Sequence, residues 1–573
     1  MMDLSVWAPA PERVELVVGE TRHPMTRDER GWWTARVDGA GPGTDYGFSL
    51  DGGDPLPDPR SPWQPNGVHG LSRVVDHSAY EWGDAGWRGR PLASALVYEL
   101  HVGTFTSDGT FDAAAAQLDH LVRLGVTHVE LMPVAQFPGE RGWGYDGVDL
   151  FAVHEPYGGP EGLKRFVDAC HSRGLGVVLD VVYNHLGPAG NHLSSFGPYF
   201  TDRYATPWGQ AVNFDGPSSV EVRRFFVDNA LMWLRDYHCD GLRLDAIHAV
   251  LDASAIHVLE EMQLRVEELA AHLDRDLFLI AESDLNDPRV VNRREAGGYG
   301  IAAQWSDDFH HSLHALLTGE RDGYYADFGT IGDVAKALRE AFVLAGTYSR
   351  YRDRIHGRPA IGLPGYRFLG YMQDHDQVGN RAVGERSSAL TSPGLLKVGA
   401  ALVLTSPFVP MLFMGEEWGA TTPFLYFTSH EDEELGNAVS EGRRREFAAF
   451  GWDPDSIPDP QDAATFLRSK LDWSELDEQP HADLLDWHRS LIALRREWPE
   501  LTDGRLEGVE VDYDEDERWL TMARGRITVA CNFGPAEVTV SVAPDRVGRL
   551  LLTSGKEPSG STLPGESVTI WSA

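Results

Sequence analysis

The chain of 573 residues predicts an α/β protein built on a (β/α)8 barrel, with a β-sandwich before the barrel and an all-β domain after it. Strand-like and helix-like segments alternate through the middle of the chain, and those strands are almost continuously apolar, which is typical of a parallel sheet covered by helices. The flanking regions show short strands separated by Gly, Pro and Asp turns. We expect three domains, at residues 1–90, 91–495 and 496–573.

The first region, residues 1–90, has strand-like runs at 14–18 and 46–48, with no long stretch of helical periodicity between them. The passage 54–62 is rich in Pro and Asp and is typical of a chain that crosses a surface between domains. These features favour a small β-sandwich.

The central region repeats a strand followed by a helix. Apolar spacing predicts one helix over residues 111–124, ended by Gly125. Another helix, at about 220–237, follows Ser218-x-x-Glu221, which predicts a capping box. Eight strand-like segments fit a closed barrel better than an open sheet: residues 96–102, 127–132, 175–180, the run that begins at 241, 277–281, 301–305, 367–372 and 410–414.

Composition narrows the class of ligand. The chain has 50 Lys and Arg and 87 Asp and Glu, which gives a formal net charge of -37. Because like charges repel, this charge argues against a nucleic-acid ligand. Cys170, Cys239 and Cys531 are odd in number and far apart, so neither a disulfide framework nor a zinc site is expected. The N-terminus lacks a secretory layout, and the most apolar stretch, 399–415, is too short to span a bilayer. We therefore expect a cytoplasmic protein without membrane contact.

Carboxylates stand at the carboxyl ends of four predicted strands. Asp180 ends the third strand and Asp245 the fourth, while Glu282 follows the fifth and Asp376 the seventh. In a (β/α)8 barrel the carboxyl ends of the strands meet at one mouth, where active sites form. The pattern therefore indicates several carboxylates in one cleft.

Arg243 and Asp245 allow two interpretations. On a strand their side chains share one face, and an isolated Arg-x-Asp is more often a structural ion pair. The functional interpretation makes Asp245 a carboxylate that Arg243 keeps ionised and ready to attack an electrophile. The carboxylates on neighbouring strand ends favour the functional interpretation.

A glycosidic bond is a suitable target, because its cleavage needs one carboxylate nucleophile and one carboxylic acid that protonates the leaving oxygen. Neighbouring strands would bring Asp245 and Glu282 to about 5–5.5 Å, the separation of a retaining enzyme. We expect burial and negative neighbours to raise the pKa of Glu282. Asp376 would stabilise positive charge that develops on the sugar ring.

Four segments resemble the four conserved regions of the α-amylase superfamily of retaining glycoside hydrolases, in the same order. They are residues 180–185 (DVVYNH), 241–245 (GLRLD), 280–282 (IAE) and 375–376 (HD). The resemblance implies that Asp245 is the nucleophile, Glu282 the acid and base, and Asp376 the stabiliser of the transition state. Asp374 stands where the superfamily more often has Asn, so the local hydrogen bonding is open.

The resemblance also implies a set of substrate-binding side chains around the attacked sugar and its neighbour. Tyr145 is the expected stacking platform for the attacked glucose. Some amylases bind calcium through the first of these regions, but residues 185–216 form a short stretch with few carboxylates, so we expect no required metal and no cofactor. The substrate-binding set is Trp143, Tyr145, His185, Arg243, His248, Asp308 and His375.

Residues 130–146, 305–325 and 415–446 resemble the maltooligosyltrehalose trehalohydrolases, one family of that superfamily. This resemblance implies hydrolysis of the α-1,4 bond between a maltooligosaccharide and a terminal trehalose, with a maltooligosyltrehalose synthase as functional partner. The insertions 305–325 and 415–446 would form the side of the cleft that recognises trehalose, and the alternative for any single residue in them is loop packing. Residues 1–90 resemble the carbohydrate-binding-like β-sandwich of branching and debranching members, and the segment after about 500 resembles their C-terminal β-domain.

Two other functions share parts of this pattern. A glycogen branching enzyme has the same β-sandwich and the same four regions, but it transfers a glycan to a sugar hydroxyl. A non-catalytic glycan-binding relative should lack one of the three carboxylates and carry a membrane anchor. Asp245, Glu282 and Asp376 are all present, which disfavours the second alternative and leaves the first to product analysis.

Overall fold

A closed barrel of eight parallel strands forms the centre of the computed structural model, which describes residues 2–449 and 457–573 except for the side chains of 446–449. Consecutive strands pair in parallel, and the eighth pairs with the first. All eight predicted strands are confirmed. They are β1 Val97–Leu100, β2 His128–Leu131, β3 Gly176–Val181, β4 Gly241–Leu244, β5 Phe278–Ala281, β6 Ala303–Trp305, β7 Phe368–Gly370 and β8 Val409–Phe413.

Side chains fill the interior of the barrel. Alternate residues of each strand point inward, and Val178, Ile280 and Met411 meet there fully buried. At the start of β4 the space allows only Gly241, because a Cβ there would lie 2.3 Å from the ring of Phe278. The chemistry is therefore confined to the open mouth above this packed layer.

Helices surround the barrel, and the one predicted over 111–124 is two. Phe111, Ala114, Leu118 and Leu121 are all fully buried, so the two helices keep one apolar face and the pattern could not show the break. Residues 282–302, between β5 and β6, carry the 3₁₀ turns Pro288–Val290 and Arg294–Ala296. The helices of more than four residues in the catalytic region are Phe111–Ala115, Leu118–Leu124, Gly159–Ser172, Ser219–Arg235, Val258–Leu273, Asp307–Thr318, Ile331–Glu340, His375–Gly379, Pro393–Thr405, Glu433–Ala449, Ala463–Arg468 and His481–Glu497.

The predicted capping box at Ser218 is wrong. Ser218 precedes the helix with a left-handed backbone, φ 63°, and its side chain makes no capping hydrogen bond. The carboxylate of Glu221 instead lies 3.9 Å from Arg30 of the N-terminal region and 3.8 Å from Arg224. The carboxylate of Glu221 therefore faces arginines and does not take part in a cap.

The predicted β-sandwich and the predicted all-β region are both present. One N-terminal sheet contains Met2–Trp7, Thr26–Arg27 and Trp32–Val37, and the other contains Val14–Val18, Thr21–Pro24, Asp45–Leu50, Pro55–Leu56 and Ser72–Arg73. The C-terminal sheet contains Val509–Asp514, Trp519–Arg524, Ile527–Asn532, Arg549–Thr553 and Ser567–Ser572, beside the pair Val538–Thr539 and Thr562–Leu563. The boundaries at 90 and 495 stay predictions.

Cys170, Cys239 and Cys531 are free and buried. Cys170 lies in the core on the apolar face of Gly159–Ser172, as expected. Within residues 2–449 and 457–573, no helix combines the length and the apolar character needed to cross a bilayer.

Candidate active site

A cleft of about 480 Å³ opens at the carboxyl ends of the barrel strands. Nine of the ten residues predicted for the site line it, and Asp308 does not. Because the strands run parallel, residues far apart in sequence reach this one mouth. The nine are Trp143, Tyr145, His185, Arg243, Asp245, His248, Glu282, His375 and Asp376.

Arg243 lies at the centre of the site. Its Nη1 is 2.7 Å from Oδ1 of Asp245 and 2.9 Å from Oδ2 of Asp180, and its Nη2 is 3.6 Å from Oε2 of Glu282. The guanidinium carbon lies 4.4 Å from the ring centroid of Trp305, a favourable cation–π distance. One buried cation is therefore shared among three carboxyl groups and fixed on an aromatic face.

Asp245, just after β4, is the candidate nucleophile. Its Oδ2 accepts a hydrogen bond of 2.8 Å from Nδ2 of Asn184, and its Oδ1 accepts one from Arg243. Burial by itself would raise the pKa of Asp245, but the charges of Arg243 and His185 and the bond from Asn184 outweigh burial and lower it. The carboxylate is therefore ionised at neutral pH.

Glu282, just after β5, has the opposite shift. Burial raises its pKa well above the usual range, and the charges of Asp245 and Asp307 raise it further against the opposing effect of Arg243. The backbone N–H of Ala246 donates to Oε2 at 2.6 Å. Ala246 has a left-handed backbone, φ 40°, which is strained for a residue with a Cβ. Glu282 is thus a protonated acid held by a strained turn that follows Asp245.

His375 is held as a cation. Oε2 of Glu99 accepts from its backbone N–H at 3.0 Å, while Oε1 pairs with its Nδ1. Burial would lower the pKa of His375, but Glu99, Asp374 and Asp376 together raise it to about 9. Both ring nitrogens therefore donate.

Tyr145 completes this chain of hydrogen bonds. Its hydroxyl lies 2.8 Å from Nε2 of His375 and donates to Oδ2 of Asp180 at 2.6 Å. The two rings stack with centroids 5.2 Å apart. Burial raises the pKa of Asp180 to about 6, against the lowering effect of Arg243. The platform candidate is thereby fixed between two charged groups of the mouth.

Asp376 is exposed to the cleft at the start of the helix His375–Gly379. Its Oδ1 accepts a hydrogen bond of 2.6 Å from Nδ2 of Asn380. The preceding Asp374 caps the helix, because its Oδ1 accepts from the backbone N–H of Gln377 at 3.0 Å. Asp and Asn cap helices about equally well, so the aspartate fills a role that the Asn more common in the superfamily would also fill.

The remaining cleft residues form an aromatic rim. His185 stacks on Trp208 with centroids 4.7 Å apart, and Nε1 of Trp143 donates to the carbonyl of Leu425 at 2.9 Å. Nδ1 of His248 lies 4.0 Å from Oδ1 of Asp284. The sequence analysis did not predict Trp208 as a cleft residue. Trp208 lies in the turn between the strands Phe200–Thr206 and Gly209–Val212, and a tryptophan in a short turn was the signal that could have indicated it.

The prediction for Asp308 is corrected. Its Oδ2 is buried and accepts hydrogen bonds from Nδ2 of Asn286 and from the backbone N–H groups of Val343 and Leu344, at 2.9, 2.7 and 2.7 Å. The neighbouring Asp307 lines the cleft instead, and burial raises its pKa to about 7. Adjacent helical residues point in different directions, and the pair of aspartates gave no basis for choosing between them.

The two insertions differ in what they bring to the mouth. From 305–325, Trp305 and Asp307 line the cleft, and from 415–446 the lining residues are Tyr426, Phe427 and Thr428. Trp418 is fully buried. It packs against His120 and Trp473. Within the described part of the chain, no group of three His, Cys, Asp or Glu is arranged to hold a metal ion.

The chain is similar to known proteins along most of its length. The model of the α-amylase catalytic domain matches residues 84–196, that of carbohydrate-binding module 48, the isoamylase N-terminal domain, matches 2–64, and a domain of unknown function, DUF3459, matches 504–570. A malto-oligosyltrehalose trehalohydrolase of Arthrobacter ramosus is 57% identical, over 97% of this chain and 96% of that protein. One of Saccharolobus solfataricus is 45% identical, over 90% and 88%.

The chain belongs to the malto-oligosyltrehalose trehalohydrolase family, as the sequence predicted. A branching enzyme of Vibrio parahaemolyticus is a more distant relative of this trehalohydrolase family member, at 34% identity over 53% of this chain and 46% of that protein. A crystal structure described as a putative α-amylase from Salmonella typhimurium has a TM-score of 0.92 and 39% identity, covering 100% of this chain and 97% of that one. The pullulanase of Paenibacillus barengoltzii, with a TM-score of 0.73 and 20% identity over 100% and 92%, shares the fold.

Proposed function

We propose that this chain hydrolyses the α-1,4 bond between a maltooligosaccharide and a terminal trehalose, with retention of configuration, and releases trehalose. One observation carries the reaction type. Asp245 and Glu282 contact the same Arg243 at one cleft, while the pKa of the first is lowered and that of the second is raised. Family membership supports the choice of substrate.

In the first step Asp245 attacks the anomeric carbon of the glucose that precedes trehalose. Glu282 gives its proton to the glycosidic oxygen as that bond breaks, so trehalose leaves as a neutral alcohol. The product is a covalent ester between the maltooligosaccharide and Asp245. Asp376, exposed at the rim of the cleft, stabilises the positive charge on the sugar ring.

In the second step Glu282, now a carboxylate, removes a proton from water. The oxygen of that water attacks the anomeric carbon, the ester bond breaks, and Asp245 returns as a carboxylate. The two inversions give net retention. Arg243 stays charged throughout and stabilises the anionic form of Asp245 before and after reaction.

The aromatic rim and the fixed cation would bind the sugars. Tyr145 offers an apolar ring to the attacked glucose. His375, held protonated by Glu99, can share with a sugar hydroxyl the Nε2 proton that it donates to Tyr145. Trp143, His185 and His248 complete the proposed contacts.

The surroundings are part of the same proposal. A maltooligosyltrehalose synthase would supply the substrate, and neither a metal nor a cofactor takes part. The buried free cysteines support a reducing compartment such as the cytoplasm. The net charge of -37 argues against nucleic-acid partners.

Product analysis tests the proposal. The purified chain is incubated with a maltooligosyltrehalose, and the anomer first formed is followed by proton NMR while trehalose is measured by chromatography. We expect free trehalose and the α-anomer of the maltooligosaccharide. New α-1,6 linkages in amylose without trehalose release would instead assign the chain to the branching enzymes.

A further inference from the structure

The helix His375–Gly379 carries Asp376. Both insertions form hydrogen bonds with residues at the end of this helix and just after it. From 305–325, the two oxygens of Glu320 each lie 2.7 Å from Nη1 of Arg381. From 415–446, Arg443 of the helix Glu433–Ala449 bonds to Asn380 and Gly379. The segments that distinguish the family in sequence thus meet behind one candidate catalytic residue.

Arg443 contacts both the end of this helix and the wall of the cleft. Its Nη1 donates to Oδ1 of Asn380 at 2.7 Å and its Nη2 donates to the carbonyl of Gly379 at 3.0 Å. Its guanidinium carbon lies 4.5 Å from the ring centroid of Tyr426, which lines the cleft. The planar fork of a guanidinium suits two separate acceptors, so Arg443 holds both the helix end and the amide beside it.

The amide of Asn380 links this cation to Asp376. Its oxygen accepts from Arg443, and its nitrogen donates to Oδ1 of Asp376 at 2.6 Å. An arginine side chain only donates, so it can bind only the oxygen end of the amide. The nitrogen end then faces the carboxylate. Without Arg443 the amide could rotate and set its oxygen against Asp376, which would repel the carboxylate.

Close packing leaves this segment little freedom to compensate. A Cβ on Gly379 would lie 2.1 Å from the ring of Trp143, another cleft residue. The backbone that Arg443 holds therefore presses directly on the aromatic wall of the site.

We propose that Arg443 is a positioning residue that sets the orientation of Asp376 through Asn380. The inference rests on the proposed function, because it assigns Asp376 a role in the reaction. It gives the arginine-rich segment of the second insertion a task behind the cleft, in contrast to the direct recognition of trehalose expected for that insertion.

A double-mutant cycle tests the link. Arg443→Ala, Asn380→Ala and the double variant are assayed for trehalose release from a maltooligosyltrehalose, with Arg444→Ala, an exposed arginine on the same helix, as the matched control. We expect Arg443→Ala to lower kcat about 10- to 100-fold, because small misplacements of catalytic groups have such effects, with KM within about twofold. The kcat of the double variant should be no lower than that of the less active single variant, because Arg443 acts through Asn380.

A conservative change separates positioning from folding. Arg443→Lys should recover part of kcat, since an ammonium can still donate to Oδ1 of Asn380 but cannot span both acceptors. If Arg443→Ala does not fold, Arg443→Lys and Asn380→Ala form the cycle. Losses that multiply in the double variant, or an unchanged kcat in folded Arg443→Ala, would overturn the proposal. A wild-type chain that cleaves amylose but releases no trehalose from a maltooligosyltrehalose would overturn only the substrate assignment. The double-mutant cycle would then be measured with amylose as the substrate.

Discussion

Strand β4 has an aspartate next to each end, the buried Asp240 before Gly241 and the partly exposed Asp245 after Leu244. Both side chains have a lowered pKa, although burial acts to raise it in each case. By residue type and by the direction of the pKa shift the two residues are alike. Their surroundings differ, and that difference separates a structural carboxylate from a reactive one.

Asp240 is enclosed by hydrogen-bond donors. Oδ1 accepts from Nε1 of Trp87 and Nη2 of Arg275, at 2.7 and 3.1 Å, and Oδ2 accepts from the backbone N–H of Val177 and Nε2 of His171, at 2.8 and 3.0 Å. Its side chain has no exposed surface. Each oxygen of Asp240 accepts two hydrogen bonds and cationic side chains balance its charge, so this end of the strand cannot bind a further group.

Asp245 has fewer hydrogen-bond donors around it and shares its counterion with other carboxyl groups. It shares Arg243 with Asp180 and Glu282, and its side chain is 12% exposed to the cleft. The pKa of each of those two neighbours is raised, chiefly by burial. Groups with opposed pKa shifts around one cation are typical of acid–base catalysis, and a substrate can reach them only at this end of the strand.

Removing the charge of Asp245 should have the largest effect. Asp245→Asn abolishes the nucleophile, and we expect kcat for trehalose release to fall on the order of 10⁴- to 10⁶-fold, as for other enzymes that lose a nucleophile. The thermal midpoint should stay within a few degrees of the wild type, measured by calorimetry. A variant that keeps a tenth of the activity would return Asp245 to a structural role.

Removing the proton of Glu282 should have the next largest effect. Glu282→Gln should lower turnover by about 10²- to 10⁴-fold, the usual loss of a general acid, while KM changes little. Steady-state assays over a range of maltooligosyltrehalose concentrations measure both constants. Near-normal turnover would exclude Glu282 as the acid.

At the other end of β4 the effect should fall on stability. Asp240→Asn sets an amide N–H₂ against a ring of donors, removes the carboxylate beside Arg275 and leaves His171 with Asp84 alone, so we expect a loss of about 3–5 kcal/mol in the free energy of unfolding. The kcat of the folded protein should stay within about twofold, because this cluster does not line the cleft. A large fall in kcat with an unchanged thermal midpoint would show that Asp240 acts in the reaction and would contradict its structural role.

The smallest expected effect is a shift in pH dependence. Activity at high pH is lost when Glu282 gives up its proton, so the alkaline limb of kcat/KM reports its pKa. The charge of Asp307 raises that pKa, and Asp307→Asn should therefore move the alkaline limb to lower pH. The acid limb, set by Asp245, should stay in place. A shift of the alkaline limb to higher pH would contradict the electrostatic account.

The strands and the strand-end carboxylates could be predicted because local rules fix them. Short apolar runs predict the strands, and parallel pairing brings Asp180, Asp245 and Glu282 to one mouth whatever the loops do. The same rule separates Asp245, which follows the carboxyl end of β4, from Asp240, which precedes its amino end. It could not give the hydrogen-bond partners of either aspartate, because those come from distant segments.

Two of the wrong predictions concern residues whose partners lie in distant segments. Ser218 does not cap its helix, and Glu221 faces Arg30 of the N-terminal region. Asp308 binds backbone groups of a later loop, although its neighbour Asp307 reaches the cleft. In each case the residue types fit the prediction, and a partner at least 30 positions away in sequence decided the outcome.

Trapping the covalent intermediate tests the central claim, that Asp245 is the nucleophile of a retaining glycosidase. In the Glu282→Gln variant, a maltooligosyl fluoride should glycosylate the protein, since fluoride leaves without a proton, and the ester should then persist because no base activates water. Mass spectrometry of the digested protein should find the sugar on the peptide that contains residues 241–248, attached to Asp245. An adduct on another residue would contradict the account.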